Sequence, residues 1–256
     1  MKASQWSAWR RKQFRSLVKR GVVPVVHASD SYIVQHLPEW MHRTSFDFAA
    51  LRALWIGRNP DNDRVDLARL CMLVENARQL EKERIEGSLA ELGVYRGTTA
   101  KILHTLLPQR RLYLFDTFEG FDARDLSHEK ARAASKPQFT DTSLDAVSRF
   151  LGDSPLIRLC PGYFPATGAQ VPDGERFALV HLDADLFKPT WDALAFFYPK
   201  VSPGGLMIMH DYSSMAWPGI AEAVDRFFAD KPESVVLVPD RSGTAVVRKH
   251  KQGNLR

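Results

Sequence analysis

The sequence predicts an α/β fold: a doubly wound, mainly parallel sheet of seven strands with an antiparallel last strand, preceded by a helical N-terminal extension. Three observations predict it. From residue 87 onward, short apolar runs alternate with helical stretches, the pattern of right-handed strand–helix–strand crossovers. The last two runs are separated by only Pro239 to Ser242. So short a link cannot be a parallel crossover, so the final strand returns antiparallel. Before residue 87 the periodic stretches are all helical in spacing.

In chain order, residues 5–20 read as a basic amphipathic helix with Trp6, Trp9, Phe14 and Leu17 on one side. Residues 22–45 are irregular, broken by Pro24 and Pro38. Helices follow at 46–57 and 64–84, the second with Val65, Leu67, Leu70, Leu73, Val74, Ala77 and Leu80 at helical spacing. A turn at Asn59-Pro60-Asp61 separates them. The predicted strands are 88–92, 111–115, 156–160, 176–182, 205–209, 234–238 and 243–248, with helices at 97–107, 143–152, 189–198 and 218–230. Residues 1–62 are thus expected to form a helical or lid extension and residues 63–256 the main domain. The polar stretch 117–142 is too long for a simple connection and reads as a binding loop or lid.

With 45% hydrophobic and 25% charged residues, the chain is neither fibrous nor wholly disordered. No apolar run approaches the roughly 18 residues that span a bilayer. Met1 to Arg20 lacks the apolar stretch of a secretory signal. These features predict a cytoplasmic protein. Cys71 and Cys160 sit in apolar runs and read as buried thiols, too few for a disulfide framework or a four-cysteine zinc site. The net charge of +5 is unevenly placed: residues 1–20 hold seven Lys/Arg and residues 241–256 hold five, with no acid in either. Residues 21–240 then hold 23 Lys/Arg against 30 Asp/Glu, a net of −7. An acidic middle excludes a broad nucleic-acid-binding face on the core.

Glu91-Leu92-Gly93-Val94-Tyr95-Arg96-Gly97 follows a strand and opens a helix. Gly93 and Gly97 let the backbone turn and approach a ligand. The spacing is E-x-G-x-x-x-G, and an acid at the strand end would repel a pyrophosphate. It suits a ligand carrying an amine, whose carboxylate the helix N–H groups would hold. A plain strand–turn–helix with a surface Glu gives the same pattern. Asp116 ends the second strand, 25 residues on. An acid there can accept from two ribose hydroxyls, or cap a helix. Together they favour a nucleoside bearing an amine, such as S-adenosylmethionine. Asp183, in His181-Leu182-Asp183-Ala184-Asp185, ends the fourth strand, and His210-Asp211 ends the fifth. All three are expected to converge beyond the carboxyl edge of the sheet. Strand alternation would put His181, Asp183 and Asp185 on one side if the strand persists. Asp183, His210 and Asp211 could hold Mg²⁺ or another divalent cation, which would acidify a hydroxyl. Alternatively His210 takes the proton itself. His181 alone reads as a packed or strand-end histidine.

These blocks resemble the macrocin and mycinamicin O-methyltransferases, a class I S-adenosylmethionine-dependent family with a Rossmann-like sheet. The likeness runs from Arg69 to Phe228. It rests on E-L-G-V-Y-R-G at 91–97, L-Y-L-F-D-T-F-E-G at 112–120, D-T-S-L-D-A-V at 141–147, P-G-Y-F-P-A-T at 161–167, H-L-D-A-D-L-F at 181–187 and S-P-G-G-L-M-I-M-H-D-Y at 202–212. The resemblance implies methylation of sugar hydroxyls on glycosides, usually with Mg²⁺, and a homo-oligomer, a dimer. It implies that Glu91, Gly93, Tyr95, Arg96 and Gly97 line the methionine of the cofactor. Asp116, Thr117 and Phe118 would meet the ribose, Gly162 and Tyr163 the adenine, and Asp183, His210 and Asp211 the metal. One departure stands out: the family has two adjacent aspartates before the Tyr, and here the first is His210. Two other functions were weighed. A nicotinamide dehydrogenase is disfavoured by the absent G-x-G-x-x-G and by Glu91. A non-catalytic module would work through the basic ends, with residues 5–20 on an anionic membrane surface or on a partner.

Overall fold

The computed structural model describes residues 47–58, 66–127 and 138–251. The predicted helix at 5–20, with its membrane reading, and the turn at 59–61 lie outside them. The chain divides into two units, Met1–Phe48 and Ala49–Arg256. The elements, in order, are α1 (Phe48–Arg58), α2 (Leu67–Lys82), β1 (Ser88–Leu92), α3 (Thr98–Leu106), β2 (Leu112–Asp116), α4 (Ala123–Leu126), α5 (Leu144–Leu151), β3 (Ile157–Pro161), β4 (Phe177–Leu182), α6 (Phe187–Phe197), β5 (Val201–Met209), α7 (Pro218–Phe228), β6 (Val236–Val238) and β7 (Thr244–Arg248). Among the described residues, no helix is long and apolar enough to cross a membrane.

The seven strands form one sheet in the order β3-β2-β1-β4-β5-β7-β6. β3 through β5 pair in parallel, while β7 runs antiparallel to both β5 and β6. This is the predicted sheet. Its hairpin inserts β7 between β5 and β6, which leaves the three-residue β6 at the edge with Val236 and Leu237 exposed. The central strands are buried along their whole length, as befits a sheet covered by helices on both faces. β5 begins at Val201, earlier than the apolar run at 205–209, because Ser202, Pro203 and both following glycines extend the strand backward.

Local chemistry starts the helices. The Asp66 side chain caps α2 by accepting from the Arg69 amide. Ser143 caps α5 by accepting from Ala146 N–H at 3.2 Å. An aromatic cluster packs on one face of the sheet: Phe115 meets Phe197 edge-on at 5.7 Å, and Phe164 stacks on Phe197 at 5.7 Å. Such pairs contribute about 0.5–1.5 kcal/mol each beyond area burial. Cys160 lies in this core, whereas Cys71 is only half-buried, on the outer side of α2. The expectation of two buried thiols thus holds for one.

The sheet's carboxyl edge is compact because its loops touch. Gly93, directly after β1, has φ +86°, and a Cβ there would stand 2.0 Å from the Asp183 carbonyl oxygen after β4. Gly93→Ala therefore has to push two strand ends apart in a left-handed conformation. We expect a loss of about 3 kcal/mol, seen as a fall of about 6–12 °C in thermal unfolding.

Candidate active site

β1 lies between β2 and β4, where the strand order reverses and the connecting loops part. A cleft of about 410 Å³ opens there, within the range of about 300–1,000 Å³ for small-molecule sites. Glu91, Gly93, Tyr95, Arg96, Asp116, Thr117, Gly162, Tyr163, Asp183, His210 and Asp211 all line it. Gly97 and Phe118 do not; they act through their backbones. Gly97, at φ +83°, is the N-cap of α3 and offers no side-chain bond to its first turn. The uncapped N–H groups beside Thr98 and Thr99 are thus left for a ligand at the cleft wall. The Phe118 side chain is buried, and its N–H donates to Asp116 Oδ1 at 2.7 Å.

Asp116 organises the loop as well as facing the cleft. Its Oδ2 accepts from Val94 and Tyr95 N–H at 2.7 and 2.8 Å. A carboxylate has about four acceptor sites, so three backbone bonds leave little more than one for a ribose hydroxyl. Tyr95 and Arg96 are tied from across the cleft by Asp141: Tyr95 Oη donates to Asp141 Oδ1 at 2.7 Å and the Arg96 guanidinium pairs with Oδ2. Phe139 packs edge-on against both Tyr95 and Phe121. The polar 117–142 stretch therefore covers the glycine loop where it is described.

Glu91 is buried, with Oε1 3.1 Å from Nδ1 of the fully buried His181. Burial pushes its carboxyl above the usual range. Glu91 Oε2 and His181 Nε2 have no partner among the described residues. An unpaired buried carboxylate oxygen on the wall of a cleft suits a cationic amine.

Next to Glu91, past the ends of β4 and β5, stand Asp183, Asp185, His210 and Asp211. Arg69, from α2, donates to Asp183 Oδ2 at 2.6 Å. Asp183 is held at about 2 against the cost of its burial by the Arg69 charge, with the two histidines adding to it. Asp185 does not continue the strand alternation. β4 ends at Leu182, and Asp185 turns to φ 61°. It is buried beside Asp183 and hydrogen-bonded to Asp211, and burial and those like charges raise its carboxyl strongly. Asp211 is pushed up to about 6 by burial and by Asp183. Burial and the Arg69 charge lower His210 to about 3, so the imidazole is neutral.

His210 Nε2 lies 3.6 Å from Asp211 Oδ1. One ligand atom each from Asp183, His210 and Asp211 falls within a common 4.8 Å. The expected trio thus converges. Arg69 escaped the sequence reading, and Asp185 was set beside Asp183 by strand alternation, whereas a turn brings it there. Arg69 carried a signal: it is a charge on the same helical face as Leu70, Leu73 and Ala77, and such a charge needs a partner. Trp217 and Phe121, which complete this end edge-on at 5.4 Å, carried none.

Residues 62–235 match the family model of macrocin-O-methyltransferase. Demethyldecarbamoylnovobiocin O-methyltransferase of Streptomyces niveus is 30% identical over 189 residues, covering 66% of this chain and 71% of that protein. Mycinamicin III 3''-O-methyltransferase of Micromonospora griseorubida is 28% identical, covering 64% of this chain and 68% of that one. The solved O-methyltransferase NovP superposes with a TM-score of 0.67 at 22% identity, over 79% of this chain and 98% of its own. The calicheamicin methyltransferase CalS11 gives 0.59 at 21% identity, over 86% and 99%. At such identities the two structures speak for the fold. The chain belongs to the macrocin-O-methyltransferase family, whose members are S-adenosylmethionine-dependent O-methyltransferases.

Proposed function

We propose that this enzyme methylates a sugar hydroxyl of a glycoside or glycan, with the acceptor seated against Asp183, His210 and Asp211. The observation that carries the reading is the composition of that end of the cleft. Hydrogen-bond acceptors and a neutral imidazole line the same cleft as the aromatic rings of Trp217 and Phe121. A sugar offers that same mixture, hydroxyl donors on an apolar ring face. The relatives point the same way: one is named for a rhamnosyl 4'-O-methylation in Streptomyces olivaceus, at 30% identity over 164 residues.

The cofactor's amine would meet Glu91, its carboxylate the N-terminus of α3 and its ribose Asp116. Bound there, S-adenosylmethionine would supply the methyl group to an acceptor held by Asp183 and His210. Transfer breaks the sulfur–methyl bond and forms the oxygen–methyl bond. The hydroxyl proton passes to His210 Nε2 and on to solvent. A weakly basic imidazole suffices, because an oxygen bonding to a second carbon becomes strongly acidic. Alignment of oxygen and methyl supplies most of the acceleration, up to about 7–11 kcal/mol. The donor set also fits one divalent cation held by Asp183, His210 and Asp211, with the nitrogen favouring softer ions over Mg²⁺. Bound there, it would lower the pKa of the acceptor hydroxyl.

Titration calorimetry is expected to detect S-adenosylmethionine at micromolar concentrations; silence at millimolar would sink the reading. Asp183→Asn, which keeps a partner for Arg69, should lower kcat about 100-fold or more and leave cofactor affinity within about threefold; full activity would refute the site. Dialysis against a chelator separates the two uses of the Nε2 lone pair: lost turnover that Mn²⁺ restores better than Mg²⁺ would make His210 a ligand. An unchanged rate would assign His210 to proton transfer alone.

Stability should also report the cluster. His210 titrates lower folded, at about 3, than its ordinary 6.5. Its contribution is therefore complete above pH 6.5 and is lost as pH falls through 3. Asp211 works in the opposite sense, being raised from 3.8 to about 6. Its contribution is complete below 3.8 and is lost as pH rises through 6. In urea unfolding, His210→Gln removes the opposing histidine and should make stability rise as pH falls from 6 to 4, relative to the wild type. A pH profile parallel to that of the wild type would contradict this assignment.

A further inference from the structure

The ring of His210 has two nitrogens, and the structure gives each a different neighbour. Nε2 faces Asp211 and the acceptor end of the cleft. Nδ1 lies 3.1 Å from Oγ1 of Thr244, a buried residue at the start of β7. The Thr244 hydroxyl has one proton, and it donates that proton to Asp240 Oδ2. Asp240 belongs to the β6–β7 turn, and its Oδ1 is buried with no partner among the described residues. A hydroxyl that has spent its proton can only accept. The contact with His210 is therefore Nδ1–H donating to Thr244 Oγ1. A neutral imidazole has a single N–H, so Nε2 is left with a bare lone pair.

We propose that Asp240 and Thr244 are positioning residues that lock His210 in its Nδ1–H tautomer and aim the Nε2 lone pair at the acceptor. The inference rests on His210 meeting the acceptor, as proton acceptor or as ligand, since both roles require an unprotonated Nε2. Neither residue lines the cleft. Both come from the hairpin that places β7 against β5, so the antiparallel end of the sheet has a chemical task beyond closing it. The Nε2 lone pair and the Asp211 carboxylate face each other at 3.6 Å. Two acceptors so placed attract a proton or a cation between them.

The tautomer can be read without any acceptor substrate. The full chain, labelled with nitrogen-15, is expected to show His210 with a protonated Nδ1 and an unprotonated Nε2 in long-range proton–nitrogen spectra. The signals are assigned by their loss in His210→Gln. Thr244→Val, close in shape, removes the acceptor and should shift His210 toward the Nε2–H form. Asp240→Ala frees the Thr244 hydroxyl to rotate and donate to Nδ1, with the same result. Both should lower kcat about 10–100-fold with KM for S-adenosylmethionine within about twofold. Thr244→Ser should keep the wild-type tautomer and rate, which separates a hydroxyl's role from mere packing. A wild-type Nε2–H form, or a Thr244→Val enzyme with unchanged tautomer and kcat, would overturn the proposal. Because the spectra need no methyl acceptor, they can fail while cofactor binding and methylation succeed, and the reverse.

Discussion

The Arg69–Asp183 ion pair sets the electrostatics of the whole cleft. Four carboxyl groups, those of Glu91, Asp183, Asp185 and Asp211, crowd the carboxyl ends of β1, β4 and β5, and one guanidinium reaches them from α2. In a poorly solvated site, adjacent carboxylates cannot all ionise. Arg69 favours the ionised form of its nearest partner, Asp183. Asp183, 2.6 Å away, stays ionised. Burial and the neighbouring Asp183 and Asp211 raise the Asp185 carboxyl, which bonds to Asp211. Burial, reinforced by the same positive charge, keeps the His210 imidazole neutral. One residue outside the sheet thus holds Asp183 ionised and helps keep His210 neutral at the sheet's edge. Breaking a buried pair of this kind costs about 3–5 kcal/mol when one partner is removed, so α2 is bound to the site electrostatically as well as by its apolar face.

The backbone is arranged with equal cost. Tyr95, Phe118, Asp185 and Asp211 all have φ between 50° and 61°. They follow the ends of β1, β2, β4 and β5, the four strands that surround the cleft. L-residues avoid this conformation by roughly 1–2 kcal/mol each. At each strand end it turns the chain at once, so that polar side chains stop at the sheet edge. The loops then meet at distances that only Gly93 tolerates. The aromatic core beneath, built on Phe115, Phe164 and Phe197, supplies the rigidity that holds such turns.

The strands, their order of direction and the antiparallel return of β7 were legible because they rest on periodicity and on loop length, which a single sequence carries. The convergence of Asp183, His210 and Asp211 was legible for a related reason: residues ending adjacent parallel strands must share an edge. Arg69 was not read, and Asp185 was read on the wrong ground. Arg69 lies 114 residues from its partner, and no local rule spans that gap. Asp185 seemed to follow strand alternation, but the strand stops at Leu182, and a turn and not a pleat brings it inside. The Thr244–Asp240 pair was hidden because a threonine opening a strand and an aspartate in a turn are ordinary in those places. Their meaning comes only from the histidine that the sheet sets beside them.

His210 is also where the chain departs from the family's adjacent aspartates, and its surroundings make the exchange coherent. A second carboxylate there would be a fifth buried acid served by the same guanidinium. An imidazole adds a lone pair without adding a negative charge. Its cost is ambiguity, since a ring with two interchangeable nitrogens can present a proton where an acceptor is needed. Asp240 and Thr244 remove that ambiguity from behind. The acceptor end can then combine low net charge with a directed lone pair. That balance suits a reaction in which positive charge leaves sulfur and departs as a proton. A strongly negative site would stabilise the sulfonium reactant more than the transition state in which its charge disperses. The near-neutral cluster beside Asp183 avoids that penalty while still accepting the proton.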